Sequence, residues 1–123
     1  MHRCIISLAT NCNQEENLRE ARQRLGQILS DTSYTKELWT QPFRSKCTYL
    51  YLNQLAYAET SLSVNQLEET LKRIEMEMGR TAEDRQHGIV RIDLDLLLFD
   101  HERYHLHDWE RPYIQELLRS QEV

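Results

Sequence analysis

Apolar positions recur at two rhythms along the chain, every second residue in some stretches and every third or fourth in others, and the changes of rhythm mark the elements. Residues 4–9, rich in Ile and Leu, predict a first strand. Asn13, followed three positions later by Glu16, has the form of a capping box, and Leu18, Ala21, Leu25 and Ile28 then recur at helical spacing to about residue 29. Residues 34–40 alternate as a second strand, and residues 41–46, around Pro42, form a polar loop. The third and longest strand spans 48–60. Its alternation puts Tyr49, Tyr51, Asn53, Leu55 and Tyr57 on one face and Leu50, Leu52, Gln54, Ala56 and Ala58 on the other. Ser63 with Gln66 is a second capping-box pair. Leu67, Leu71, Ile74 and Met78 make the buried stripe of a second helix that stops at Gly79. Residues 80–90 are polar and aperiodic, a long connection before a fourth strand over 91–99. A polar stretch, 100–107, leads to a short helix over 112–120, with Pro112 in an early helical position.

The order βαββαβ predicts an α+β domain of the ferredoxin-like, split βαβ kind. The expected architecture is a mainly antiparallel four-stranded sheet with two helices on one face and the other face open. A chain of 123 residues fits one such domain, residues 1–123. Its net charge of −5, with Lys and Arg dispersed, excludes a long nucleic-acid backbone as partner. Cys4, Cys12 and Cys47 lack metal-type spacing, which is the usage of reduced thiols in the cytoplasm. The first residues are too short for a signal segment, and no apolar run approaches the roughly 20 residues of a membrane span. The expectation is a soluble, cytoplasmic monomer without a membrane partner.

Chemistry concentrates in the fourth strand. Ile92, Leu94, Leu96 and Leu98 line one face, and Asp93 and Asp95 line the other with Leu97 and Phe99. The two acids point the same way, with Cα atoms roughly 7 Å apart. Neighbouring anions on a half-buried surface repel and lose hydration unless a cation or several donors offset the cost. Oxygen donors on a rigid strand suit Mg²⁺, which takes one or two carboxylates and completes its shell with water and phosphate. The alternative is a wet face with solvated acids. Similarly, the Tyr and Asn face of the third strand is either a platform for a flat ring or the ordinary β-propensity of Tyr. His101, His105 and His107 are either a transition-metal site or surface histidines.

Taken together, Tyr51-Leu52-Asn53, Arg73-Ile74-Glu75-Met76-Glu77-Met78-Gly79-Arg80 and Arg91-Ile92-Asp93-Leu94-Asp95-Leu96-Leu97-Leu98-Phe99 resemble the signature segments of the 6-hydroxymethyl-7,8-dihydropterin pyrophosphokinases of folate biosynthesis, in family order and spacing. The chain resembles a short, divergent member. The resemblance implies a ferredoxin-like fold and transfer of the terminal diphosphate of ATP to the pterin hydroxymethyl group, releasing AMP. It implies two Mg²⁺ ions bound with ATP by Asp93 and Asp95, and a pterin site that includes Thr40, Tyr51 and Asn53. It places Arg80 on a mobile catalytic loop, with Arg85 and Arg91 as further phosphate-binding candidates, and Glu75 on the nucleotide side.

The chain departs from the family pattern at several points. Ala9-Thr10-Asn11 stands for Gly-Ser-Asn, and His87 and Val90 stand where the family offers a Trp and an Arg. Pro112-Tyr113-Ile114 replaces Pro-His-Tyr, and the C-terminal region is shorter. Two readings follow: an active Mg²⁺-dependent pyrophosphokinase, impaired to whatever degree those residues matter, or a weakened relative that binds pterin, nucleotide or a protein partner.

Overall fold

The computed structural model describes residues 1–42, 49–79 and 81–121. Its elements are β1 (His2–Thr10), α1 (Gln14–Leu25), β2 (Ser30–Tyr34), β3 (Leu38–Thr40), β4 (Tyr51–Thr60), α2 (Val64–Glu77), α3 (Ala82–Gln86), β5 (Asp93–Phe99), β6 (Glu102–Arg103), α4 (Leu106–Trp109) and α5 (Pro112–Ser120). The sheet runs β2-β4-β1-β5-β6, with β3 also on β4, and every pairing is antiparallel. Because β2 and β5 are each reached through a helix and lie one strand away from their starting strand, the two βαβ units are split and interlocked. This is the ferredoxin-like α+β arrangement.

Among the described residues the sheet has six strands rather than the expected four. The predicted second strand breaks in two at residues 35–37. Tyr34 pairs with Ala56 and Leu38 with Asn53, so three residues oppose two. Thr35 fills the gap as a bulge would: its Oγ1 accepts the Leu55 N–H at 3.0 Å and its N–H donates to the Leu55 carbonyl at 3.0 Å. The short β6 folds back against Leu98 and Phe99.

α1 and α2 pack on one face. Ile6 and Leu8 of β1, Leu52 and Ala56 of β4, and Ile92, Leu94 and Leu96 meet Leu18, Ala21, Leu25, Leu67, Leu71 and Ile74 in the main core. The reverse face is not open as expected. α5 lies across part of it, where Ile114 and Leu117 cover Ile5, Leu55 and Leu97. The phase of β5 also changes partway. Ile6 pairs with Leu96 but Ile5 pairs with Leu98, which makes Leu97 an extra residue. In consequence Leu97 and Leu98 both turn toward α5, and Phe99 joins the main core, opposite to the assignment by simple alternation.

The two helix starts differ. At α2, Ser63 Oγ accepts the Gln66 N–H at 3.2 Å and Gln66 Oε1 accepts the Ser63 N–H at 3.0 Å, a complete capping box. At α1 the expected box is absent. Asn13 sits in the left-handed region at φ 42° and makes no side-chain cap, while Asn17 Nδ2 donates to the Cys12 carbonyl at 2.6 Å. Asn tolerates that backbone better than most residues, so a turn was written where the pattern resembled a cap.

Candidate active site

The site is assembled across three strands. Ala9 of β1 faces Asn53 of β4 on one side and Asp93 of β5 on the other. At the usual strand spacing this puts the Asn53 and Asp93 Cα atoms about 10 Å apart, with only a methyl group between them. A cavity of about 130 Å³ opens here, lined by Ala9, Thr40, Tyr51, Asn53, Asp93, Arg111 and Tyr113. Four residues singled out in the sequence, Thr40, Tyr51, Asn53 and Asp93, therefore share one hollow.

Asn53 is buried and held by its surroundings. Its Nδ2 donates to Thr40 Oγ1 at 2.9 Å and to the Leu38 carbonyl at 3.0 Å, which sets the orientation of the amide and ties β3 to β4. Asp93 and Asp95 are both half-buried on the α5 face of β5, while Leu94 and Leu96 point into the main core. Burial pushes the Asp95 carboxyl above the usual carboxylate range. His105, with Nε2 4.0 Å from Asp95 Oδ1, opposes the shift, and Asp108 adds to it. An acid held so is a poor solvated anion and a good site for a cation. Two hard oxygen donors fit Mg²⁺, which needs few protein ligands when phosphate supplies the rest. Among the described residues no group of three or more His, Cys, Asp or Glu side chains is arranged to hold a metal. His101, His105 and His107 accordingly make no transition-metal cluster.

Glu75 rises from α2 to the outer edge of β5, where β6 pairs only with Leu98 and Phe99. Its side chain is 1% exposed, and Oε2 accepts the Leu94 N–H at 2.7 Å, filling an unpaired position of the edge strand. Burial raises its carboxyl, the Leu94 N–H opposes the rise, and Asp93 adds to it. The carboxylate thus grips the backbone between the two acids.

The arginines divide. Arg91 lies before β5, and its guanidinium is bound by Asp84 of α3, Nε to Oδ2 at 2.9 Å. That carboxylate also holds the Arg91 guanidinium above its already high ordinary pKa. Arg91 packs over Gly79, whose φ of 101° suits glycine and where a Cβ would come within 3.2 Å of the Arg91 Cδ. It braces the start of β5 and does not line the cavity. Arg85 is exposed on α3, whose presence replaces the expected loop, and Thr81 Oγ1 caps that helix by accepting the Asp84 N–H at 3.1 Å. Arg80 lies outside the described residues.

Asn11 ties the segment before β5 to the end of β1. Its Oδ1 accepts the Val90 N–H at 2.7 Å and its Nδ2 donates to the Gly88 carbonyl at 2.8 Å. Two cavity residues escape any reading of local pattern, Arg111 and Tyr113. Pro112 marks the start of α5 in the sequence, but nothing local says that the helix folds back beside Asp93. Burial raises the Tyr113 phenol, Arg111 opposes the shift, and the Asp108 and Asp93 carboxylates reinforce it.

The sequence pattern of the family described as "7,8-dihydro-6-hydroxymethylpterin-pyrophosphokinase (HPPK)" matches residues 5–120. The "Folate synthesis bifunctional protein" of Arabidopsis thaliana is 28% identical over 120 residues, covering 89% of this chain and 25% of that protein. The chain thus spans about a quarter of the relative's length. With the match running from β1 to the end of α5, over a sheet that sets Asn53 and the acidic pair side by side, the chain belongs to the 7,8-dihydro-6-hydroxymethylpterin-pyrophosphokinase family.

Proposed function

We propose that this protein transfers the terminal diphosphate of ATP to 6-hydroxymethyl-7,8-dihydropterin, releasing AMP, as a step of folate biosynthesis. The observation that carries the reading is the row Asn53, Ala9, Asp93, which sets an amide able to read a ring edge beside an acidic pair able to draw in phosphate. The pterin lies over Ala9, where a larger side chain would block it, with Tyr51, Thr40 and Asn53 along its rim. The cavity of about 130 Å³ is smaller than the roughly 300–1,000 Å³ of common ligand pockets, so the ring rests on it as on a floor.

In the step itself the pterin hydroxyl oxygen bonds to the β-phosphorus and gives up its proton to solvent. The bond from that phosphorus to the α,β-bridging oxygen breaks, and AMP leaves with the electron pair. Asp93 and Asp95 would hold the Mg²⁺ that comes with ATP, two ions, which would neutralise the triphosphate charge. Arg80 and Arg85 take up charge on the transferred group, and Glu75 keeps β5 in place beneath the nucleotide. No helix among the described residues is long and apolar enough to cross a membrane.

A second reading is favoured by Arg91, whose guanidinium is committed to Asp84. On that reading the chain binds pterin, nucleotide or a protein partner without turnover. Saturable, Mg²⁺-dependent AMP formation from ATP and the pterin is expected, falling about a hundredfold or more in Asp93→Ala with Asp95→Ala. Equal AMP formation by that variant sinks the catalytic reading. Calorimetric binding of pterin or ATP without turnover establishes the second, and binding of neither ends both.

A further inference from the structure

Among the described residues lining the cavity, Asp93 is the one anion and Arg111 the one cation. Arg111 immediately precedes Pro112, which favours an extended backbone at the residue before it, and Arg111 has φ −69° and ψ 135°. The side chain therefore leaves the chain at the junction of α4 and α5 instead of along the α5 surface. Asp108 Oδ1 accepts its Nε at 3.2 Å, and the guanidinium lies near enough to the Tyr113 phenol to oppose the rise that burial gives it. A guanidinium carries five N–H donors, so these contacts aim the group without exhausting it. The side chain is 47% exposed. It is open to an incoming anion at the cavity, whereas Arg91, paired with Asp84, stands outside it.

We propose that Arg111 binds the phosphate oxygens of the transferred diphosphate, sharing the cavity with Asp93 and supplying from the α4–α5 junction the cation that Arg91 does not bring. This rests on the function proposed above and adds a residue to it. A triphosphate held at Asp93 brings its terminal oxygens within the reach of a planar, two-pronged donor, the geometry that guanidinium offers phosphate. Free of ligand, the same guanidinium offsets part of the Asp108 charge.

The test uses Arg111→Ala and Arg111→Lys in the full chain, with steady-state kinetics and with calorimetry of Mg²⁺ and a non-hydrolysable ATP analogue. For Arg111→Ala, kcat/KM for ATP is expected to fall about a hundredfold. Millimolar guanidinium ion should restore part of it, Arg111→Lys should fall between, and pterin affinity should stay within about twofold of wild type. A merely structural arginine gives no rescue by a free ion. Kinetics of Arg111→Ala within about threefold of wild type, or a loss that guanidinium leaves unchanged, overturns the proposal. Should the wild type bind the analogue but form no AMP, the catalytic reading fails separately. Arg111 is then judged by calorimetry, where a tenfold weaker analogue affinity in Arg111→Ala supports it and an unchanged affinity overturns it. A wild type that binds no analogue overturns both.

Discussion

Beneath α1 and α2 the centre of the sheet is apolar, with Ile6, Leu8, Leu52, Leu94 and Leu96 all within 1% of complete burial. On the reverse, the apolar patch of Ile5, Leu55 and Leu97 stops where α5 stops, and the same strands continue as Ser7, Ala9, Asn53, Asp93 and Asp95. The first face holds the molecule together. The second gives up apolar burial over part of its area and keeps polar groups that cost free energy to desolvate. Within β5 the contrast falls on adjacent residues, Asp95 on one side and Leu96 on the other.

The sharpest break of the comparison is Leu96→Ala. Emptying that site should destabilise the fold by about 2–5 kcal/mol in urea titration. Asp95→Ala, one residue away, should leave stability within about 1 kcal/mol or raise it, because a desolvated anion is removed. Equal losses from both would mean that the two faces share the structural load.

A smaller effect is expected from Cys4, which lies on the helix face at 2% exposure. Burial pushes its thiol up to about 11 from an ordinary 9.0, and the Asp100 carboxylate adds to the shift. A pKa raised by folding favours the protonated native state. Its contribution is whole below pH 9.0 and is lost as pH rises through about 11. About 3 kcal/mol should disappear over that window, at 1.36 kcal/mol per pH unit. The alkaline decline should be shallower in Cys4→Ala, measured by urea midpoints across the window. An identical decline would show that the thiolate is as well solvated in the native state as in the unfolded chain.

The mildest perturbation is Ser63→Ala, which removes the cap of α2 and should cost about 1 kcal/mol in thermal unfolding. Since α2 also carries Glu75 to the edge of β5, a loss of AMP formation out of proportion to stability would show that the helix face reaches into the site.

Much of the candidate site was visible in the sequence because its parts follow strand alternation. Tyr51, Asn53 and Asp93 had only to be placed on the proper faces of neighbouring strands, whereas Thr40 was named through the family resemblance alone. Arg91 could not be resolved so, because β5 begins at Asp93 and the orientation of the preceding residue depends on Asp84, which α3 brings to it. Phe99 was assigned to the wrong face because one extra residue at Leu97 reverses the count, and a bulge is a property of two strands together. Asn13 looked like a cap, and its backbone chose the left-handed region instead.

What the sequence by itself determined is local: the helical stripes, the Ser63 cap, the alternation that turns Asp93 and Asp95 away from the leucines between and after them. Period and capping act over a few residues, so they can be read from a few residues. The tertiary structure alone decided that α5 covers part of the reverse face, that Glu75 closes the edge of β5, and that Arg111 meets Asp93 in one cavity. Each of these joins residues 17 or more positions apart, and their meeting depends on how the whole sheet stacks and twists, which no short stretch of chain encodes.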